Sequence, residues 1–269
     1  ALSGLTRDVG ENVGVRNILT GTFNLTGSQA SDYTASIAAG STLTINAAPL
    51  SATILTTPLE KTYGTNDPTL SSLSYSVNGL IDRLVSTWNS VIPVAIDDSG
   101  LTVALLSLTR VSGENVGSYN VTGSSFTPLS NYNAPTLTGS PALTINPAAL
   151  VNTIDNQTKV YGADDPTLGG IGFSVSGVVN TSVTDWNGNI TALDDTSPAR
   201  LSVALSGLTR DVGENVGVRN ILTGTFNLTG SQASDYTASI AAGSTLTIDA
   251  APLSATILTT PLEKTYGTN

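Results

Sequence analysis

The chain repeats itself, and this repetition constrains its fold more than any other feature of the sequence. Residues 1–66 return as residues 204–269, and the two copies differ only where Asn46 is replaced by Asp249. Segments with the same sequence are expected to fold alike. The chain therefore has to be divided into repeating units before strands or helices are assigned.

Three shorter motifs mark a second, more diverged period within the first. A Lys-x-Tyr-Gly motif begins at Lys61, Lys159 and Lys264. A Leu-Thr-Arg-x-x-Gly-Glu-Asn-Val-Gly motif contains the pairs Arg7 and Glu11, Arg110 and Glu114, and Arg210 and Glu214. A Leu-Thr-Ile motif ends at Ile45, Ile145 and Ile248, and a short joint rich in Ala and Pro follows each time.

The motifs predict two alternating domain types of about 100 residues, a normal size for a small domain. Residues 1–49 are the second half of a type A domain, and residues 50–149 are a complete type B domain. Residues 150–252 are a complete type A domain, and residues 253–269 begin another type B domain. Because the sequence starts and ends inside repeats, we expect it to be a segment of a longer array.

Local patterning predicts strands. Residues 72–78, 173–178 and 201–205 alternate polar and apolar side chains, which is the period of a half-buried strand. Turn-forming residues recur about every 8–12 residues, which is typical of small β domains. We expect about seven strands per unit, and a short helix only at 80–88 and at the equivalent 178–186. The predicted fold is therefore all-β: Ig-like β-sandwich or β-grasp-like domains, whose stiff, proline-containing joints make the array an extended rod.

Charge and composition exclude several classes of function. Ten basic and twenty acidic residues give a net charge of −10, which disfavours nucleic acid and anionic membrane surfaces as partners. The absence of His and Cys excludes imidazole and thiolate catalysis and the ordinary zinc sites. No apolar run approaches the length of a membrane helix, so no membrane insertion is expected. No catalytic motif stands out, and we expect no enzyme activity.

The motifs together resemble the MBG domain of the YGX type. The resemblance is carried by Lys-x-Tyr-Gly-x-x-Asp-Pro-x-Leu, by Arg-x-x-Gly-Glu-Asn-Val-Gly-x-Tyr and by the closing Leu-Thr-Ile. Such modules form arrays in large bacterial surface and secreted proteins, including adhesins of the filamentous-haemagglutinin kind. The resemblance implies extracellular display and a structural role without an active site. One departure is that only Tyr119 provides the tyrosine of the second motif, because Arg16 and Arg219 replace it in type A copies.

Two acidic pairs, Asp97-Asp98 and Asp194-Asp195, are the candidate calcium ligands, since Ca²⁺ prefers hard oxygen ligands. Asp followed by Ser, Thr or Gly is also ordinary turn chemistry, and the spacing of an EF-hand is absent. The turn interpretation is favoured, and no other metal or cofactor is predicted.

The charged residues that recur in each repeat predict structural contacts. Lys61, Lys159 and Lys264 are each expected to pair with a nearby carboxylate. The alternative is an isopeptide bond from lysine to an Asn or Asp, with Glu114 beside Asn115, or Glu214 beside Asn215, supplying two of the parts. Arg110 and Glu114 are expected to form an ion pair. Tyr119 is expected to lock the chain in the manner of a tyrosine corner.

Apolar residues provide a further set of expectations. Trp88 and Trp186 are the only tryptophans, and they occupy equivalent positions. Each is predicted to lie in the core of its own domain, and stacking on a sugar ring is the alternative. Ile54, Leu143 and Ile145 are predicted to be buried.

Three functions are compatible with these observations. The favoured one is a stalk or filament segment of a secreted or cell-surface bacterial adhesin. The second is a module that binds carbohydrate, matrix or ice through its Ser- and Thr-rich face. The third is a self-assembling extracellular filament subunit, whose partners are further copies of the same repeat.

Overall fold

The computed structural model describes residues 1–257 and 263–268, and this part of the chain is all-β, as predicted. Residues 1–49 form β1 (Leu2–Arg7), β2 (Gly14–Phe23) and β3 (Thr42–Ile45). The type B repeat contains β4 (Ser51–Ile54), β5 (Glu60–Thr62), β6 (Tyr75–Asn78), β7 (Asp82–Thr87), β8 (Ser90–Asp97), β9 (Leu105–Arg110), β10 (Gly117–Phe126), β11 (Thr136–Leu137) and β12 (Ala142–Asn146).

The complete type A repeat has the same series of strands. They are β13 (Ala148–Ile154), β14 (Gln157–Val160), β15 (Phe173–Ser176), β16 (Asn180–Thr184), β17 (Ile190–Asp194), β18 (Ser202–Arg210), β19 (Gly217–Thr229), β20 (Tyr236–Ile240) and β21 (Thr245–Asp249). The helices of the described residues are single 3₁₀ turns at Ala30–Asp32, Leu70–Ser72, Leu168–Gly170 and Ala233–Asp235.

Each complete repeat builds a three-stranded and a four-stranded sheet with the same strand order. In the type B repeat the orders are β11-β4-β6 and β5-β12-β10-β9, and in the type A repeat they are β20-β13-β15 and β14-β21-β19-β18. The early strands of each repeat pair in parallel with its late strands: β4 with β11, β5 with β12, β13 with β20, and β14 with β21. Side chains of both sheets meet in the core, where Ala52 of β4 and Phe126 of β10 belong to one buried cluster.

The predicted short helices at 80–88 and 178–186 are wrong. These segments lead into strands β7 and β16, which pair with β8 and β17 to form a hairpin in each repeat. Their β-branched residues, such as Val85 and Val183, favour extended backbone, and a Trp-Asn turn follows each first strand. The hairpins raise the number of strands per repeat to nine, where the sequence predicted about seven.

The predicted burial of the last strand is confirmed. Leu143 and Ile145 of β12 are fully enclosed, because β12 lies between β5 and β10 in its sheet. Ile54 is only half-buried, since it is the last residue of β4.

The chain divides into two compact units whose boundaries do not follow those of the sequence repeats. The first unit comprises residues 1–146 and 182–192, and the second comprises 147–181 and 193–269. The tip of the second hairpin, residues 182–192, thus belongs to the unit that contains the preceding repeat. The repeat boundaries themselves stay predictions.

Candidate functional site

The first two sequence motifs meet in a cluster of four charged side chains in the type B repeat. Lys61 lies on β5 and Arg110 ends β9, while Asp67 and Glu114 lie on the loops that follow these strands. Lys61 Nζ lies 2.8 Å from Asp67 Oδ1 and 2.5 Å from Glu114 Oε2. Arg110 donates from Nε and Nη2 to the two oxygens of Asp67, at 2.7 and 3.0 Å, and its Nη2 lies 2.5 Å from Glu114 Oε1. The predicted lysine–carboxylate and Arg110–Glu114 pairs are confirmed.

The cluster is buried and neutral overall. The exposed fractions of the side chains are 2% for Lys61, 2% for Asp67, 0% for Arg110 and 7% for Glu114. Burial alone would raise the pKa of Asp67, but hydrogen bonds from Arg110 and Lys61 hold it below its ordinary value. Burial likewise opposes the charge of Arg110, and the bonds to Asp67 and Glu114 nevertheless raise its pKa. Two cations and two anions therefore compensate one another inside the repeat.

This geometry favours ion pairing over an isopeptide bond at Lys61. An amide bond from Lys61 to Asp67 requires a neutral carboxyl group, whereas hydrogen bonds from Arg110 and Lys61 hold the pKa of Asp67 below its ordinary value. Arg110 also binds both oxygens of Asp67 and stabilises its ionised form.

The hairpin tip at 182–192 covers this cluster within the first unit. Trp186 packs against the buried cluster that Leu59, Leu73, Leu108 and Leu143 form. Its indole Nε1 donates to the Pro68 carbonyl at 2.7 Å, and its backbone N–H donates to Asp67 Oδ2 at 2.9 Å. The next residue, Asn187, accepts from the backbone N–H of Arg110 and donates to its carbonyl, each at 2.9 Å.

The prediction that each tryptophan lies in the core of its own repeat is therefore wrong. Trp186 packs on residues of the preceding repeat, and Trp88 is 48% exposed. Sequence reasoning missed this because the partners of Trp186 lie in the preceding repeat, and two of them, Asp67 and Pro68, lie 119 and 118 residues earlier in the chain. The one available signal was the Trp-Asn pair, which recurs at Trp88-Asn89 and Trp186-Asn187.

The hairpin β7–β8 makes the equivalent backbone contact with residues 1–49. The side chain of Asn89 accepts from the N–H of Arg7 at 2.8 Å and donates to its carbonyl at 2.6 Å. Arg7 in turn pairs with Glu11, as Arg110 pairs with Glu114. The same asparagine-to-arginine connection therefore occurs twice in the first unit.

The type A repeat contains a second copy of the cluster, formed by Lys159, Asp165, Arg210 and Glu214. Lys159 Nζ lies 2.7 Å from Asp165 and 2.5 Å from Glu214, and Arg210 lies 2.7 Å from Asp165 and 2.5 Å from Glu214. Here the side chains of Asp165 and Glu214 are 47% and 58% exposed. The hydrogen bonds from Arg210, and then from Lys159, lower the pKa of Asp165 to about 2. The same two cations lower the pKa of Glu214, with Lys159 contributing most.

Tyr119 forms the predicted lock, and arginine replaces it in type A copies. The Tyr119 hydroxyl donates to the Asn115 carbonyl at 2.8 Å. Arg16 Nη2 donates to Asn12 at 2.8 Å and Arg219 Nη2 donates to Asn215 at 2.9 Å, and both acceptors are the equivalent backbone carbonyls. The lock therefore requires a long side chain with a donor at its end and does not require an aromatic ring.

The four calcium candidates take part in turns and in tyrosine contacts. Asp97 accepts from the hydroxyl of Ser99, and Asp194 accepts from the hydroxyl of Thr196, both at 2.6 Å. Asp98 and Asp195 each accept a hydrogen bond from a tyrosine hydroxyl, that of Tyr132 and that of Tyr236, both at 2.6 Å. Among residues 1–257 and 263–268, no group of three or more acidic, His or Cys side chains is arranged to hold a metal ion. These contacts favour the turn interpretation, and calcium binding stays a prediction.

Models of known protein families, curated proteins and solved structures were compared with this chain, and none of them matches it. No helix among the described residues is long and apolar enough to cross a membrane.

Proposed function

We propose that this chain is a structural, load-bearing segment of a secreted or cell-surface protein, of the adhesin stalk or filament type. It acts by projection or assembly and not by catalysis. The observation that carries the proposal is the parallel pairing of early and late strands in each repeat. The MBG-like motifs support the same interpretation and the extracellular location.

Parallel terminal strands give the geometry that resists a pull on the chain. Force enters the type B repeat ahead of β4 and leaves it after β12. β11 and β12 run parallel to β4 and β5. A pull on the two ends of the repeat therefore draws the paired strands in opposite directions along their length. The ladder bonds are then sheared together, since none of them can open before its neighbours. They include Thr144 N–H to the Leu59 carbonyl at 2.9 Å and Thr138 N–H to the Ala52 carbonyl at 2.8 Å.

The charged cluster and the hairpin add a second support. The connection between Asn187 and Arg110 joins a later repeat to an earlier one within the first unit, beyond the peptide joint itself. Pulling residues 182–192 away from Arg110 has to break both of these hydrogen bonds.

Single-molecule force spectroscopy on the full chain tests the proposal. Thr144→Pro removes the N–H that bonds to Leu59 and should lower the unfolding force of the type B repeat. Thr144→Ala is the matched control, because it keeps the N–H and trims only an exposed side chain, so its force should equal that of the wild type. The proposal fails if the wild-type repeats extend without a resolvable force peak, or if both variants unfold at the wild-type force.

A further inference from the structure

The two complete repeats differ in the ladder that holds their first strand. In the type A repeat β13 pairs in parallel with β20 over Ala148–Asn152 without interruption. In the type B repeat β4 pairs with β11 only at Ser51 and Ala52, and a single bridge joins Ala48 to Tyr132 ahead of them. The type A ladder is therefore continuous, whereas the type B ladder is short and broken.

One extra residue accounts for the break. From the bridge at Tyr132 to the next pairing residue, Thr136, the chain advances by four positions, while its partner advances by three, from Ala48 to Ser51. The equivalent strands of the type A repeat advance in step. The extra stretch contains Pro135, which has no N–H to donate, and proline within sheets is confined to edges and bulges. The type B sequence thus encodes the interruption.

A buried asparagine reinforces the type A ladder. Asn152 is completely buried, and its Nδ2 donates to the Ser239 carbonyl of β20 at 3.0 Å. Its backbone carbonyl accepts from the N–H of Ala241, the residue after β20, at 2.8 Å. The Asn152 side chain therefore adds a connection between two strands that the backbone already joins.

The same asparagine is costly for the core. Its Oδ1 accepts no hydrogen bond within residues 1–257 and 263–268, and burying an unpaired polar atom lowers stability. The type B repeat has Ala52 at the equivalent position, and this residue is completely buried as well. An apolar residue therefore fits the position, and what asparagine adds there is the bond across the ladder.

We propose that the two repeat types yield at different forces, with type B unfolding first and type A keeping its length. The inference rests on the load-bearing function proposed above. A parallel ladder that is sheared withstands more force when more bonds share the load. The second ladder of the type B repeat is also the shorter one, since β5 spans three residues and β14 spans four. Because the two types alternate along the chain, extensible and resistant repeats alternate as well.

Single-molecule force spectroscopy on the full chain tests this order once the two repeats can be told apart. The hydroxyls of Thr209 and Thr223 lie 2.6 Å apart across β18 and β19, which form neither of the parallel ladders. Thr209→Cys, Thr223→Cys should therefore form a disulfide, and the chain has no other cysteine. The oxidised variant should release about 45 Å less chain when its type A repeat unfolds, because the segment between the two cysteines stays closed. The reduced variant lacks this mark and is the control.

The longer, type B event should come first as the force is raised. At one constant force the type A repeat should survive more than about tenfold longer, because several further hydrogen bonds must break together. A type A event that comes first, or equal lifetimes of the two repeats, overturns the inference and leaves the load-bearing function intact. Extension without any resolvable force peak overturns both.

Asn152→Ala tests the origin of the difference, because it installs the residue that type B has at this position. It should shorten the lifetime of the type A repeat by about two- to tenfold at the same force. Val151→Ala is the matched control, since it trims a side chain of the same strand that is 41% exposed, and its lifetime should equal that of the wild type. Equal lifetimes of Asn152→Ala and Val151→Ala would overturn the role of the asparagine.

The reverse change concerns the type B repeat. Deletion of Ala134 together with Pro135→Ala removes the extra residue and restores a backbone donor, so the type B repeat should survive longer at the same force. If this variant folds and its type B lifetime does not change, the broken ladder is not the cause of the difference, and the proposal is overturned.

Discussion

The two complete charged clusters contain the same four residue types, with nearly the same distances, in different surroundings. Lys61, Asp67, Arg110 and Glu114 are shielded from solvent, whereas two of the four groups in the type A repeat are about half exposed. Both repeats hold their ion pairs, but only one has a hairpin over them. The comparison teaches that the repeat itself determines the geometry of the cluster, while the covering hairpin determines its dielectric surroundings.

The largest expected difference comes from removing the arginine in each copy. Arg110→Met leaves Asp67 and Glu114 buried with only one cation, and breaking a buried pair in this way costs about 3–5 kcal/mol of unfolding free energy. Arg210→Met leaves Asp165 and Glu214 partly hydrated and should cost about 1 kcal/mol or less. Hydrogen exchange in β10 and β19 reports on each repeat separately. Equal losses at the two sites would contradict the argument from burial.

A smaller effect is expected from the tryptophans. Trp186→Ala should destabilise the type B repeat by about 2–3 kcal/mol, below the range for a fully buried Trp because this ring is only half-buried. Trp88→Ala should cost less than about 1 kcal/mol, because the Trp88 side chain is 48% exposed.

The double variant Trp186→Ala, Arg110→Met tests directly whether the hairpin causes the difference between the two clusters. Once the cover is removed, the cost of losing Arg110 should fall towards that of losing Arg210. A double-mutant cycle in urea measures this coupling, and strict additivity would show that the hairpin does not control the burial of the cluster.

Acid should weaken the type A repeat through Asp165. Its pKa is about 2 in the folded chain, below the ordinary value of about 3.9 expected for the unfolded chain. The folded state therefore holds this proton less tightly. The stabilisation is present above pH 4 or so and is lost as the pH falls towards about 2. Asp165→Asn should flatten the dependence of the urea midpoint on pH over this window, and an unchanged slope would count against the ion pairs.

The lock at position 119 should be exchangeable between the repeat types. Tyr119→Ala removes the hydrogen bond to Asn115 and should cost about 1 kcal/mol. Tyr119→Arg restores a donor of the kind that Arg219 provides and should recover most of that loss. Thermal melts of the two variants, compared with the wild type, check the order of stability.

The smallest expected effect is that of calcium. Asp97 and Asp194 already accept hydrogen bonds from the residues two positions ahead. The melting temperature of the chain should therefore be the same in excess EDTA and in millimolar Ca²⁺. A rise of many degrees with calcium would assign these acids as ligands.

The sequence alone predicted the features that depend on neighbouring residues or on a regular spacing of residues. The alternation of side chains gave the all-β class and the buried positions Leu143 and Ile145, and the spacing of Arg110 and Glu114 gave their pair. The joining of the two motifs into one cluster could not be predicted, because Asp67 and Arg110 meet only after the sheets close. The packing of Trp186 on the preceding repeat could not be predicted either, because no local sequence pattern indicates which repeat a side chain contacts.

The position of Trp186 also has a consequence for the order in which the chain is made. Lys61, Asp67, Arg110 and Glu114 are all synthesised before the hairpin that covers them. A nascent type B repeat must therefore form its ion pairs while they face water, and it becomes sealed only when part of the following repeat has emerged. The folding of the type B repeat is therefore completed only after a fraction of the following repeat has also been synthesised.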